Sequence, residues 1–292
     1  MISLILAKKI LSLFLVMALG IALVRCGIVR SQDSKVLSMI SLYLVMPCVI
    51  ISSFQVEYQP EILNGLLLAL AASALLHLVL IVVVGFLGKV LKLDGVEETS
   101  LIYSNAGNLI IPIVTAILGK EWVIYTSAFL SVQLFLLWSH AKMKLCGEKG
   151  IDLKKILTNI NMIAIFAGVL LFLLRIQLPA PVQDAVDSIS SMVGPMGMLI
   201  LGMLIAEMDL KKLLSYHRLW WITLLRLVGI PLIGIVLLKY SSLAALVPEG
   251  RTILLVTLLA ICTPSASTKV LTYRDPDFSK ALSAQMALIN AR

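Results

Sequence analysis

The sequence has few charged residues for its size. Asp, Glu, Lys and Arg make up 14% of the 292 residues, whereas ordinary globular proteins carry about 25%. Hydrophobic residues make up 60%, and the mean hydropathy is +1.03. No part of the chain is polar enough for a large soluble domain, so the composition predicts a membrane protein.

Motifs of several enzyme and pump classes are missing as well. The sequence has no GxxxxGK[ST] loop and no HExxH, so it gives no support to an ATP-driven pump or a membrane metalloprotease. The four cysteines lie far apart without CxxC or Cys/His spacing, which argues against a zinc site or a disulfide framework. We expect no enzyme activity, no metal and no cofactor, and we leave H+ or Na+ open as a coupling ion.

The net charge of +8 predicts topology rather than nucleic-acid binding, because the Lys and Arg residues lie in short loops between apolar runs. Every second loop is rich in these residues, and Lys8 and Lys9 alone favour the opposite orientation. The positive-inside rule then places the amino terminus outside and the loop 147–155 in the cytoplasm. The expected surroundings are a lipid bilayer, with no nucleic acid as partner.

A helix needs roughly 20 mostly apolar residues to cross a bilayer. The first apolar run is interpreted as a retained span because no cleavage site follows it. Nine full candidates and a partial tenth near 278–292 meet or approach this length. The nine are Leu4–Val24, Val36–Phe54, Ile62–Leu91, Thr99–Leu118, Trp122–Leu145, Ile156–Leu174, Val182–Ala206, Leu219–Tyr240 and Thr252–Leu271.

The basic loop 147–155 divides the chain into residues 1–146 and 156–292, each with five spans. An odd number of spans per half makes the two halves inverted relative to each other. Prolines support such a repeat: Pro47 and Pro195 lie in the second span of each half, and Pro112 and Pro264 in the fourth. Matched interruptions of this kind indicate a transporter site at the repeat interface. The alternative is the general frequency of Pro in membrane helices.

The first interruption is the stretch 103–115, YSNAGNLIIPIVT. Gly107 and Pro112 weaken its helix, and Asn105 and Asn108 are expected on one helical face before the break. Past the break, a second half-helix would present free N–H groups and a positive dipole end that favour an anion. Alternatively, the Asn pair only joins neighbouring helices.

The second interruption is the stretch 262–268, CTPSAST. The hydroxyls of Thr263, Ser265 and Ser267 surround Pro264. They are candidates for binding a carboxylate or a cation. Alternatively, they replace the backbone hydrogen bonds that the proline removes.

Charges inside spans are few, and no Asp or Glu lies in the middle of a complete span. Arg226 either faces a cavity, where it binds an anion or pairs with Glu207, or extends to the cytoplasmic surface. His77 is either bonded to a neighbouring helix or carries protons. Coupling therefore uses a cation held by carbonyls and amides, uses His77, or is absent.

The order and spacing of five segments resemble the auxin efflux carrier family, which includes bacterial malate permeases. The segments are LVMPCVI in span two, SNAGNLIIPIV in span four, MVGPMGMLILGMLIAEMDL in span seven, RLVGIPLIGIVLL in span eight and TPSASTKVLTYRDPDFSKALSAQ from span nine onward.

This resemblance implies an all-α polytopic membrane protein with a ten-span, five-plus-five inverted repeat. The fold is similar to that of bile acid symporters and sodium/proton antiporters, in which broken spans four and nine cross at the midplane. The family's substrates are organic anions that bear carboxylates. Residues 278–292 provide only about half of a tenth span, so we expect a truncated or short last helix.

We therefore predict a secondary active transporter that moves small organic anions such as malate by alternating access across a bacterial inner membrane. An exporter of auxin-like aromatic carboxylates, a passive anion channel and a ligand-binding sensor are the alternatives, and a homodimer is left open. The predicted substrate-binding residues are Asn105, Asn108, Pro112, Thr263, Pro264 and Ser265, supported by Pro47, Pro195, Gly107, Ser267 and Arg226.

Overall fold

The computed structural model describes residues 2–146, 154, 157–207, 215 and 217–264, and the regular elements in this part are helices. Six helices are long and apolar enough to cross a membrane, and two shorter apolar helices accompany them. The prediction of an all-helical, multi-pass chain is confirmed. The helices below keep the numbers of the nine predicted spans to which they correspond: Ala7–Arg25, Ser31–Ser53, Pro60–Leu91, the pair Gly95–Ile102 and Ala106–Ile117, Lys120–Leu145, Ile160–Leu173, Ala180–Ile205, His217–Tyr240 and Gly250–Cys262.

Span four begins at a capping box. The Asp94 carboxylate accepts hydrogen bonds from the N–H groups of Val96 and Glu97, at 2.8 and 2.9 Å, and the Glu97 carboxylate accepts one from the Asp94 N–H. Three backbone donors at the helix start are thereby satisfied by the two carboxylates. The sequence DGVE thus fixes where the first half of this span starts.

Each of two prolines inside spans follows its own π-helical turn. The turn Ser41–Val45 comes before Pro47, and the turn Leu225–Gly229 comes before Pro231. The proline ring lacks an N–H and crowds the preceding turn, and the wider turn accommodates this defect without ending the span. Pro195 follows an irregular turn at residues 191–192 instead.

The spans pack into two groups. Spans one, two, six and seven form what we call the first bundle, and spans three, four, five, eight and nine form the second bundle. Both predicted sequence repeats, residues 1–146 and 156–292, contribute helices to each bundle. The second half of span four also packs against spans one and seven, so it lies at the boundary between the bundles.

Within the first bundle, spans one and seven approach each other at glycines. A methyl group on Gly202 would overlap the Met17 carbonyl oxygen, and a methyl group on Gly20 would lie 2.5 Å from the Leu199 carbonyl oxygen. Because these obstacles are backbone atoms, side-chain rotation cannot relieve them. Small residues at this crossing therefore set the distance between the two helices.

We predict that Gly202→Ala lowers the melting temperature of the purified protein, because the two helices must separate to fit the new methyl group. Overpacking of this kind costs about 1–3 kcal/mol. Gly85→Ala in span three is the matched control, since a methyl group there meets no atom within 4 Å. Equal melting temperatures for the two variants would contradict the close-contact explanation.

Candidate functional site

The interruption of span four lies at residues 103–105. The first half-helix ends at Ile102, Tyr103 adopts an extended conformation (φ −98°, ψ 128°), and Asn105 precedes the second half-helix Ala106–Ile117. The break therefore falls within the predicted stretch, at its amino-terminal end.

Two details of the predicted break are wrong. Asn105 and Asn108 do not share a helical face before the break, because Asn105 is the residue that caps the second half-helix and Asn108 lies inside it. Pro112 does not form the break but lies well inside the same half-helix. Its missing N–H leaves only the Asn108 carbonyl without its helical donor, which a helix tolerates more easily than a full interruption.

Gln133 of span five supports the backbone at the break. Its Oε1 accepts hydrogen bonds from the Ser104 backbone N–H (3.1 Å) and from the Ser104 hydroxyl (2.9 Å), and its Nε2 donates to the Ser104 carbonyl (2.9 Å). Both residues are buried. One amide side chain thus replaces the helical hydrogen bonds that Ser104 would otherwise make.

Span nine ends in the predicted stretch as well. Its helix stops at Cys262, and Thr263 is extended (φ −61°, ψ 145°). The Thr263 hydroxyl donates to the Ala260 carbonyl at 2.9 Å, which matches the alternative that such hydroxyls bond back to their own helix. Ser265 and Ser267 lie outside the described residues.

The two interruptions meet. The Asn105 N–H donates a hydrogen bond of 2.9 Å to the Pro264 carbonyl oxygen, although the two residues are far apart in the chain. The non-helical backbone of each span thereby helps to satisfy the other. Asn105, Pro264 and the neighbouring Thr263 are therefore close together, as the repeat pattern predicts.

Arg226 of span eight joins the carboxyl ends of both broken helices. Its side chain is only 3% exposed. Nη1 donates to the Leu101 carbonyl at 2.7 Å, and Nη2 donates to the carbonyls of Ile261 and Thr263, each at 2.8 Å. The guanidinium group thus replaces N–H donors that both helices lose where they end.

The predicted pairing of Arg226 with Glu207 is wrong, and so is its extension to the surface. Glu207 is exposed at the end of span seven, whereas Arg226 is buried among backbone carbonyls. Sequence patterns favour carboxylates as partners of buried arginines, and backbone acceptors leave no such pattern. The sequence feature that points to Arg226 is Pro231. This proline follows a π turn, and π turns are frequent at functional positions.

The second half of span four faces the first bundle. The Pro112 ring lies against Gly194, where an added methyl group would be 3.2 Å from the ring Cγ, and an added methyl group on Gly107 would be 3.0 Å from the Met46 side chain. Pro195 follows Gly194 and Pro47 follows Met46 in the chain. Of the predicted support positions, Gly107 therefore lies against span two next to Pro47, and Pro195 follows the glycine of span seven that contacts Pro112.

A row of aromatic and polar side chains flanks the break inside the second bundle. The His77 Nδ1 donates to the Ser73 carbonyl of its own helix at 2.8 Å, and its ring lies 4.9 Å from the Phe129 ring centroid. The Tyr103 hydroxyl contacts the His140 Nδ1 at 2.9 Å. The Nδ1 of His77 thus bonds within span three, whereas its buried Nε2 has no hydrogen-bond partner among the described residues.

The electrostatics of the site are asymmetric. Helices carry roughly half a negative charge at the carboxyl end and half a positive charge at the amino end. Arg226 offsets the negative ends at Leu101, Ile261 and Thr263. The positive amino end at Ala106 begins beside Asn105, so the arrangement is suited to an anion on that side of the break.

We predict that Gln133→Leu lowers the melting temperature, because the Ser104 N–H and carbonyl lose their partners. Each buried, unsatisfied polar group costs about 1–3 kcal/mol. Ser131→Ala is the matched control in the same helix, since the Ser131 hydroxyl bonds only back to the Ser127 carbonyl. A Gln133→Leu protein as stable as the Ser131→Ala protein would show that Gln133 does not support the break.

Comparison with known families adds evidence from outside the structure. A family model described as "Membrane transport protein" matches residues 5–150. This is half of the chain and includes spans one to five with the whole first break. No curated protein matches the sequence.

Proposed function

Since the chain belongs to the membrane transport protein family, the family of the auxin efflux carriers, and is a multi-pass membrane protein, we propose that it is a secondary active transporter of small organic anions such as malate. The hydrogen bond from the Asn105 N–H to the Pro264 carbonyl carries this proposal. It joins the break in span four to the end of the helix Gly250–Cys262, and interrupted helices that meet at mid-membrane form substrate sites in many carriers.

The proposed binding site lies where these interruptions meet. A carboxylate would accept hydrogen bonds from the first N–H groups of the half-helix that starts at Ala106. The amides of Asn105 and Asn108 would be further donors. Thr263 and Pro264 at the end of the span-nine helix, Pro112, and Ser265, which lies outside the described residues, complete the proposed binding set. Because Arg226 already offsets the negative helix ends, a bound anion gains attraction from the positive end without repulsion from the others.

Alternating access is proposed as a movement of the two bundles against each other. The described contacts between them include few polar links: the Ser53 and Ser127 hydroxyls lie 2.6 Å apart, and Lys120 Nζ lies 2.7 Å from Asp187 Oδ2. Exposed ion pairs of this kind contribute only about 0–1 kcal/mol, so they can break and form during a cycle. The second half of span four lies at the boundary between the bundles, so its amino end would hold the bound substrate during this movement.

The proposed topology is the ten-span inverted repeat, with the amino terminus outside and the loop 147–155 in the cytoplasm of a bacterial inner membrane. The alternation of basic loops supports it. Accessibility of a single cysteine placed in that loop, in inverted and right-side-out vesicles, tests the orientation.

We predict that Asn108→Ala lowers exchange of labelled against unlabelled malate in proteoliposomes at least tenfold, because one amide donor to the anion is lost, while the yield of folded protein stays the same. Asn64→Ala is the matched control, since Asn64 is exposed at the start of span three. Thermal stabilisation across a panel of carboxylates identifies the substrate if malate is not exchanged.

An unchanged exchange rate in Asn108→Ala would remove that residue from the site. Malate conductance without exchange of label would contradict a carrier and indicate a channel. Stabilisation by a carboxylate without exchange or conductance would indicate a ligand sensor.

We also predict that a disulfide between Ser53→Cys and Ser127→Cys stops exchange, because it joins the two bundles. The two hydroxyl oxygens are 2.6 Å apart, which suits an S–S bond of about 2.05 Å. The four native cysteines are replaced by serine in this experiment.

The matched control pairs Ser52→Cys with Asp187→Cys, whose side chains are hydrogen-bonded within the first bundle. Because Asp187→Cys also removes the ion pair with Lys120, the reduced form of this pair is its reference, and oxidation should leave the exchange rate of that form unchanged. If the oxidised Ser53–Ser127 pair transports as fast as its reduced form, the bundles do not move relative to each other at this contact.

A further inference from the structure

In the part of the chain that the structure describes, no acidic side chain pairs with Arg226. Its three described hydrogen bonds all go to backbone carbonyls, of Leu101, Ile261 and Thr263. A buried charge in a membrane normally pairs with an opposite charge. Here the opposite charge comes from two helix ends of roughly −0.5 each, and their sum matches one guanidinium.

The position of Arg226 on its helix makes this contact possible. It lies in the π turn Leu225–Gly229 that precedes Pro231. A π turn shifts the side-chain direction relative to a regular helix and is frequent at functional sites. In the described part of the chain, this turn brings the guanidinium group against both broken helices at once.

Sets of carbonyls at the carboxyl ends of broken helices have a known chemistry in transporters. Such carbonyls, freed from helical hydrogen bonding, coordinate small monovalent cations that are coupled to substrate movement. The three carbonyls around Arg226 form such a set, contributed by both interruptions. All three are already bonded at 2.7–2.8 Å.

We infer that Arg226 is a resident cation at the crossing of the two interrupted helices, in the place where a small monovalent cation would otherwise bind. It is a positioning residue: it holds the ends of the broken helices together and keeps their carbonyls from binding Na+ or K+. The consequence of Arg226 for ion coupling rests on the proposed transport function. The occupation of the three carbonyls by Arg226 does not.

Two consequences follow from a resident cation. The coupling ion, if the transporter has one, does not bind at these three carbonyls. Removal of the side chain leaves a vacant cation site rather than an apolar cavity, because the carbonyls remain without donors. A free cation should then restore what the truncation removes.

The test uses the melting temperature of the full chain in detergent, with guanidinium, sodium or choline chloride at the same millimolar concentration. We expect Arg226→Ala to melt several degrees lower than the unmodified protein in choline. Guanidinium should restore at least half of that loss, since a ligand that binds only the folded state stabilises it. Sodium should give a smaller gain, and the unmodified protein should melt equally in all three salts.

Arg218→Ala is the matched control on the same span. Arg218 is half-buried and binds the Glu97 carboxylate and the Lys92 carbonyl, so its loss leaves no set of carbonyls from two helix ends. Guanidinium can pair with the Glu97 carboxylate that this variant frees, so Arg218→Ala shows the size of rescue at a carboxylate. An equal gain in Arg226→Ala and in the unmodified protein would reveal a general salt effect and overturn the inference.

If Arg226→Ala cannot be purified, Arg226→Lys and Arg218→Lys test the inference. Arg226→Lys keeps the charge but cannot reach three carbonyls in a fork, so it should lose more stability than Arg218→Lys. An equal or smaller loss would contradict the inference, as would an Arg226→Ala protein that guanidinium and sodium stabilise no better than choline. These readouts need no substrate, so their failure leaves the transport proposal standing, and absence of exchange leaves the inference standing.

Discussion

Every peptide group inside a bilayer must have a hydrogen-bond partner, because hydrocarbon offers none and each unsatisfied group costs several kcal/mol. The break in span four and the end of the span-nine helix at Cys262 depart from the usual solution, which is a continuous helix. Three partners replace the helical bonds: Gln133 serves Ser104, the Pro264 carbonyl accepts from Asn105, and Arg226 serves the carbonyls at both helix ends. The rest of the architecture holds these partners in place.

The spans and the two weak stretches could be predicted from the sequence, because hydropathy, proline and glycine act locally. The boundaries of spans three and eight, Pro60–Leu91 and His217–Tyr240, differ from the predicted ones by two residues at most. The meeting of the two stretches followed from the matched prolines, and Asn105 and Pro264 are in contact. Local signals thus predicted the two stretches that meet in the structure.

The finer structure could not be predicted, because it depends on neighbours that are distant in the chain. Pro112 was expected to break span four, yet the chain breaks at residues 103–105, where Gln133 and Pro264 offer bonds. The sequence predicts that Arg226 binds an anion, pairs with Glu207 or extends to water, but it binds backbone carbonyls. Every residue carries a carbonyl, so no sequence pattern marks this kind of partner. Packing of spans from both halves into two bundles is likewise a tertiary property.

We propose that an anion binds where the two stretches meet, at the amino end of the half-helix Ala106–Ile117. The most direct measurement is a cryo-EM structure of the full chain in lipid nanodiscs, with the carboxylate that stabilises the protein most. We predict density for the carboxylate within hydrogen-bond distance of Asn105 and the first N–H groups of that half-helix. A carboxylate found elsewhere, with both interruptions empty, would contradict the account.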